Sequence, residues 1–227
     1  MQQTDESYVL TDWQLQLLLE GCGCTEIYGL PLQRPPQNQQ ELSYQIYKLV
    51  KKQIISVAGG LFRIAEPLKS WLSAAAQAET IYKIRTSGQM PRCFCVYVQK
   101  GQAVLMERYA YRENSVRLWG FTKTEFYQEL DQLLFDCGMR EHVQPLPEQV
   151  YQEMAQELVQ SYARNNEELR PGMAGKFRAD VCDRFGRQRK RITAVRVQLE
   201  DFLVQEMKNT VDVTLFGIEK LIALLEE

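Results

Sequence analysis

Histidine is nearly absent: His142 is the only one in 227 residues. That excludes histidine-rich metal sets and leaves a single imidazole for acid–base work. It follows one predicted helix and precedes a proline phrase, which places it at the surface, away from any nucleophile it would have to activate. No Gly-x-Ser-x-Gly elbow surrounds a serine. Phosphate-cradling loops are lacking too. Gly59-Gly60 is too short and carries no lysine, and Gly172-Met-Ala-Gly175 has no lysine–serine or lysine–threonine tail. No apolar run approaches bilayer-spanning length. The opening MQQTDESYVL has neither the basic nor the apolar region of a secretory signal. Charge is balanced, with 27 basic and 29 acidic residues and a net charge of −2, so the broad basic excess of a nucleic-acid-binding domain is missing. The expectation is a soluble, cytoplasmic, non-catalytic protein without cofactor or membrane association.

What is present is an ordinary globular composition, 45% hydrophobic and 25% charged, in a chain long enough to bury a core without staples. Thr11 or Asp12 caps a first helix reaching Glu20, with Leu10, Trp13, Leu17 and Leu18 as its apolar side. The residues Gly21-Cys-Gly-Cys24 stop it, and the polar stretch Gln33–Gln40 reads as a loop. Leu42, Ile46, Leu49 and Val50 recur with helical spacing. Ile54–Val57 and Leu61–Ile64 flank Ala58-Gly59-Gly60 as a tight hairpin. Leu68, Trp71, Leu72 and Ala75 mark a third helix, and the order helix, hairpin, helix resembles part of a winged-helix module.

Strand periodicity follows at Ile81–Arg85, Phe94–Val98, Val104–Tyr109 and Ser115–Trp119. A capping box, Thr122 to Glu125, opens a helix buried through Phe126, Leu130, Leu133 and Leu134 and ended by Cys137-Gly138. Pro145 and Pro147 precede a helix striped by Tyr151, Met154, Leu158 and Tyr162. The stretch Asn165–Gly175, with Pro171, reads as a loop. Strands resume at Lys176–Arg184, Ile192–Val197, Leu203–Met207 and Val211–Leu215, before a helix carrying Ile218, Leu221, Ile222 and Leu225.

These halves resemble each other. VRLWGFTKTEFYQEL from Val116 aligns with VDVTLFGIEKLIALL from Val211, matching Val116 with Val211, Phe121 with Phe216 and Leu130 with Leu225. Each half has a glycine-turn hairpin, at Gly101 and Gly186, and a helix opened by a proline phrase. The expected fold is α+β: two helix–hairpin–strand–helix units in a pseudo-twofold arrangement, a mainly antiparallel central sheet flanked by helices, and a winged-helix-like N-terminal part. Residues 1–140 hold the N-terminal part and the first unit, and 141–227 the second, within one compact structural domain.

Candidate chemistry is sparse. Cys22 and Cys24, and Cys93 and Cys95, are paired at i, i+2, a spacing that structural zinc sites seldom use, so all six cysteines are expected to be free thiols and no metal is expected. Glu153 and Glu157 lie four apart on a helix, the mark of a solvated face. Arg184, Arg187, Arg189, Lys190 and Arg191 cluster around a glycine turn and read as a solvated hairpin tip or as a contact for an acidic protein. Tyr109 and Tyr111, beside the turn Arg112-Glu113-Asn114, are either contact anchors or lids over the sheet. The candidate partner-contacting residues are therefore Tyr109, Tyr111, Arg112, Arg187, Arg189 and Lys190.

The phrases LTDWQLQLLLEG, LVKKQIISVAGGLFRIAEPLKSWL and CFCVYVQKGQAVLMERYAYRENSVRLWGFTKTEFYQELDQLL resemble the EspG chaperones of type VII (ESX) secretion and related uncharacterised proteins of Gram-positive secretion loci. The resemblance spans most of the chain without a sharp motif. It implies a quasi-twofold α+β fold with helical bundles flanking a central sheet. It also implies a cytoplasmic chaperone or adaptor that binds helical-hairpin secretion substrates and keeps them soluble before export. The alternative is a regulator using residues 41–78 as a winged helix on nucleic acid, with Glu41–Lys52 as the recognition helix bearing Lys48, Lys51 and Lys52.

Overall fold

The computed structural model describes residues 7–33, 38–87, 91–141, 146–163, 173–208 and 210–227. His142, Pro145 and Pro171 lie outside them. In chain order the elements are β1 (Tyr8–Thr11), α1 (Asp12–Gly21), α2 (Gln39–Lys51), β2 (Ile55–Ala58), β3 (Leu61–Ile64), α3 (Leu68–Ala76), β4 (Thr80–Thr86), β5 (Cys93–Gln99), β6 (Gln102–Arg108), β7 (Ser115–Thr122), α4 (Lys123–Asp136), α5 (Glu148–Ala163), β8 (Met173–Asp183), β9 (Gln188–Val197), β10 (Glu200–Met207), β11 (Thr210–Leu215) and α6 (Ile218–Glu226). This is an α+β protein whose strand pairings are mainly antiparallel.

Two compact units divide the chain. The first comprises Met1–Ile81, Phe94–Lys123 and Arg184–Gly186, and the second Tyr82–Cys93, Thr124–Asp183 and Arg187–Glu227. In the first, strands run β1-β7-β6-β5, each pair antiparallel. Leu10, Val96, Tyr97, Val104, Met106, Val116 and Leu118 fill its core. Thr11 caps α1 through a reciprocal pair: its hydroxyl accepts from the Gln14 N–H, and its own N–H donates to the Gln14 amide oxygen. Trp13 and Leu17, expected on the apolar side of α1, are half-buried, and the deeply buried face is Leu15, Leu18 and Leu19. On α2 only Leu49 of the expected stripe is fully covered, and Val50 is exposed. Gln45 is buried instead, because the Gln14 amide donates to it at 3.2 Å and it donates in turn to Glu41 at 2.7 Å.

Strands β2 and β3 form a sheet of their own, turned by Gly59 and Gly60 at φ 61° and 76°. Two successive positive φ values are the geometry of a tight hairpin turn, and glycine adopts them without strain.

In the second unit the order is β4-β8-β9-β10-β11. Strand β8 begins at Met173, inside the stretch read as a loop. Helix α5 packs on β11. Leu158 joins Val195, Val197, Phe202 and Val204 in a fully buried cluster, with Tyr151, Met154 and Tyr162 against it. Each large apolar side chain removed from water there contributes about 1.5–3 kcal/mol. Phe126 and Leu130 of α4 and Leu221 and Leu225 of α6, the positions matched between the repeated phrases, are all buried.

The element order itself repeats: α3-β4-β5-β6-β7-α4, then α5-β8-β9-β10-β11-α6. Each repeat holds four strands, one more than a hairpin plus a strand. The two glycine turns do not occupy the same place in it. Gly101 joins the second and third strands of its repeat, Gly186 the first and second of its own. The counterpart of the Gly101 turn is at Gln198-Leu199, where Gln198 has φ 55°.

Candidate protein-docking surface

The connection between β6 and β7 carries Tyr109, Tyr111 and Arg112. Two backbone bonds close it: the Tyr109 N–H donates to the Ser115 carbonyl at 2.9 Å, and the Arg112 N–H to the Tyr109 carbonyl at 3.2 Å. Asn114 takes φ 52°, which asparagine tolerates better than most side chains. Tyr111 is 90% exposed, whereas Tyr109 is half-buried, and the two rings meet edge to face with centroids 5.6 Å apart. Arg112 is exposed.

The base of this loop is anchored by Asp12, a residue at 1% exposure in the first turn of α1. Its carboxylate pairs with the Arg108 guanidinium and accepts from the Gln33 N–H at 3.0 Å. Its N–H donates to the Asn114 carbonyl at 2.8 Å, and the Gln33 side chain donates to Asn114 Oδ1 at 2.9 Å. Arg108 also donates to the Pro31 carbonyl. An exposed aromatic at the tip thus stands on a hydrogen-bonded base. Such a loop loses less conformational entropy on binding than a free one does.

A second feature of the first unit is an open cavity of about 540 Å³. The turn Gly23–Tyr28, the end of α3 from Ala75 to Ala78, Ile81, Tyr97, Arg184 and Phe185 line it. Tyr97 donates to the Tyr28 carbonyl at 2.9 Å, and burial pushes its phenol well above the ordinary value. Gly186 turns at φ 74° directly against the Tyr28 ring. The Cys24 thiol, on the cavity wall, donates to the Glu26 carbonyl. Nothing in the sequence pattern marks this cavity, because its walls come from four separate stretches.

The basic cluster resolves differently from a row of free cations. In the second unit, Arg187 is held by Asp183, with Nε to Oδ2 and the guanidinium ion pair both at 2.7 Å. Arg191 donates to Asp180 at 2.6 Å. Lys190 is buried at 7% exposure, and burial pushes its amine below the ordinary lysine value. Arg187 and Arg189 present exposed surface. Arg184, in the first unit, lies over the ring of Phe185 at 4.6 Å. Counting cations along the sequence missed the aspartates opposite them, although Asp180 and Asp183 sit on the adjoining strand.

Among the described residues no group of three or more His, Cys, Asp and Glu side chains could hold a metal ion. All six cysteines are free, and Cys95 is buried while Cys93 is exposed. Burial raises the thiols of Cys22, Cys137 and Cys182, which lowers their reactive thiolate fraction. No helix among the described residues is long and apolar enough to cross a membrane.

No family model matches the sequence, and no curated protein matches it. Among solved structures, the fold is similar to that of the Mycobacterium tuberculosis type VII secretion system chaperone EspG5, determined in complex with the PE25-PPE41 dimer. The TM-score is 0.55 at 10% sequence identity, over 97% of this chain and 95% of that one. At that identity the likeness describes the fold.

Proposed function

We propose that the chain is a non-catalytic protein-binding module, a cytoplasmic chaperone or adaptor for a helical secretion substrate. The observation that carries this reading is the shared fold with a secretion chaperone over 97% of the chain. The repeated order of one helix, four strands and one helix supports the finer reading of a pseudo-twofold frame. A sheet unit of this kind buries one apolar face and leaves its connecting loops to meet partners. The Tyr109–Arg112 loop is the contact surface in this reading. Tyrosine and arginine are the residue types that most often dominate binding energy, and Tyr111 is almost wholly exposed. The exposed Arg187 and Arg189 supply a second, charge-selective contact on the second unit.

The test is coexpression with helical-hairpin proteins encoded beside it, followed by affinity capture and size-exclusion chromatography. A stable complex is expected, and Tyr111→Ala combined with Arg112→Ala should weaken it about 30-fold, the loss of one hot spot of about 2 kcal/mol. If no helical protein of the neighbourhood co-elutes with the chain, the reading fails. If a complex forms and the double variant binds equally well, the loop assignment alone is lost.

A further inference from the structure

The β2–β3 hairpin ends in uncovered apolar side chains. Leu61 is 69% exposed, and Val57 and Phe62 are each 58% exposed. The register explains why they belong together. Ile55 pairs with Ile64 and Val57 with Phe62, so one face of the ribbon starts buried at Ile55 and runs out uncovered through Val57 and Phe62. Ala58 and Leu61 make the other face of the tip apolar as well. Neither strand pairs with any third strand among the described residues.

The segment that carries this tip holds cations and no acid between Glu41 and Glu66. From Leu42 to Ala65 the chain carries Lys48, Lys51, Lys52 and Arg63 and no aspartate or glutamate, in a protein whose net charge is −2. Lys51, Lys52 and Arg63 are exposed and make no ion pair among the described residues. Arg63 stands two residues back from Leu61 on the same face, roughly 7 Å along the strand at about 3.3 Å per residue. On α2, which packs on β2, Tyr44, Tyr47, Lys48 and Lys51 follow helical spacing, with Tyr44 and Tyr47 at 51% and 58% exposure. The Lys48 ammonium lies 4.0 Å over the Tyr44 ring.

We propose that this hairpin and the outer face of α2 dock peripherally on an anionic lipid surface. Leu61, Phe62 and Val57 enter the interface, and Arg63, Lys51 and Lys52 remain at the level of the phosphates. The layout has the depth order such a surface requires. Apolar groups lead, and Arg63 follows within the roughly 5–10 Å by which interfacial elements bury themselves. Tyrosines with one apolar and one polar end favour the same zone. A nucleic-acid contact would place the cations at the tip. The lack of a bilayer-spanning run bears on spanning only, and a hairpin of this size does not span. The inference goes beyond the chaperone reading, and capture of a helical partner and binding to lipid fail separately.

The experiment is sedimentation of the full chain with vesicles of phosphatidylglycerol and phosphatidylcholine, and of phosphatidylcholine alone. Binding is expected only to the anionic vesicles and should fall as salt rises. Leu61→Ser with Phe62→Ser, and separately Lys51→Glu with Lys52→Glu, should each reduce binding by about tenfold or more. All four positions are exposed, and far-UV circular dichroism checks that the variants fold. Phe62→Trp provides an independent reading, since its fluorescence should be quenched by brominated anionic lipid. No sedimentation with anionic vesicles overturns the proposal, as does binding that survives both double substitutions. Capture on polyglutamate or duplex DNA in place of vesicles assigns the surface to a protein or a nucleic acid and overturns it equally.

Discussion

The phenol of Tyr82 on β4 donates to the carbonyl of Leu225, in the last turn of α6, at 3.2 Å. Its ring stacks on Phe126 of α4 with centroids 6.1 Å apart. One buried side chain thus ties together the two helices that end the repeats. The last carbonyls of a helix have no partner within it, so this bond satisfies a group that would otherwise need water. Burial pushes the Tyr82 phenol up, and it stays a donor through the physiological range. Tyr82→Phe keeps the stacking and loses this bond together with the one its hydroxyl shares with Tyr127. It should cost about 1 kcal/mol in urea unfolding, while Tyr82→Ala, which also leaves a cavity, should cost about 3 to 5 kcal/mol.

How far the sequence announced this depends on the distance over which each contact acts. The start of α1 was legible because Thr11 and Gln14 cap each other within one turn. The Gly59-Gly60 hairpin and the α5 stripe of Tyr151, Met154, Leu158 and Tyr162 were legible for the same reason: both are local patterns of turn chemistry and period. The buried face of α2 was not. Periodicity counts Val50 as core and Gln45 as surface, and the opposite holds because Gln14, 31 residues away, satisfies the Gln45 amide. The repeat was visible in its last strand and helix, where Phe126 and Leu221 both reach the core. Its turns misled, since a glycine marks a tight turn without saying which strands it joins. The Tyr109–Arg112 loop was picked out by composition, but its anchor on Asp12 was not, because Arg108 and Asp12 are 96 residues apart.

Asp12 and Arg108 should respond unequally to substitution. The Asp12 carboxylate is buried at 1% exposure, whereas the Arg108 side chain is 41% exposed and reaches solvent. Arg108→Met leaves a buried charge with, among the described residues, only the Gln33 N–H to hold it, which should cost about 3 kcal/mol or more. Asp12→Asn leaves an arginine that water can solvate and should cost about half as much. Chemical unfolding of both variants checks the order. If Asp12→Asn is the more damaging, the carboxylate is not the strained partner.

Gly120 faces the Trp71 indole, and a Cβ placed there would overlap the ring. Trp71 is also held edge to face against Tyr8, with centroids 5.6 Å apart, so it cannot simply withdraw. Gly120→Ala should lower stability by about 2 kcal/mol through overpacking and should shift the tryptophan emission. Gly101 has open space around its Cβ position but turns at φ 84°. Gly101→Ala should therefore cost about 1 kcal/mol from backbone strain alone, with emission unchanged. Melting curves recorded by fluorescence separate the two mechanisms.

Glu206 near the end of β10 gives a dependence on pH. Burial raises its carboxyl above the ordinary value of 4.5, and Arg191 and Arg178 only partly oppose this. Between 4.5 and the raised value the folded chain holds more protons than the unfolded one, so this group's contribution to stability falls as pH rises through that window and stays low above it. Glu206→Gln keeps the shape and removes the half-buried charge. The variant should be more stable than the parent at pH 7, and the difference should shrink to nothing as pH approaches 4. Urea unfolding at both pH values measures it. A variant that is less stable at pH 7 would show that the attraction of Arg191 and Arg178 outweighs the cost of burying the carboxylate.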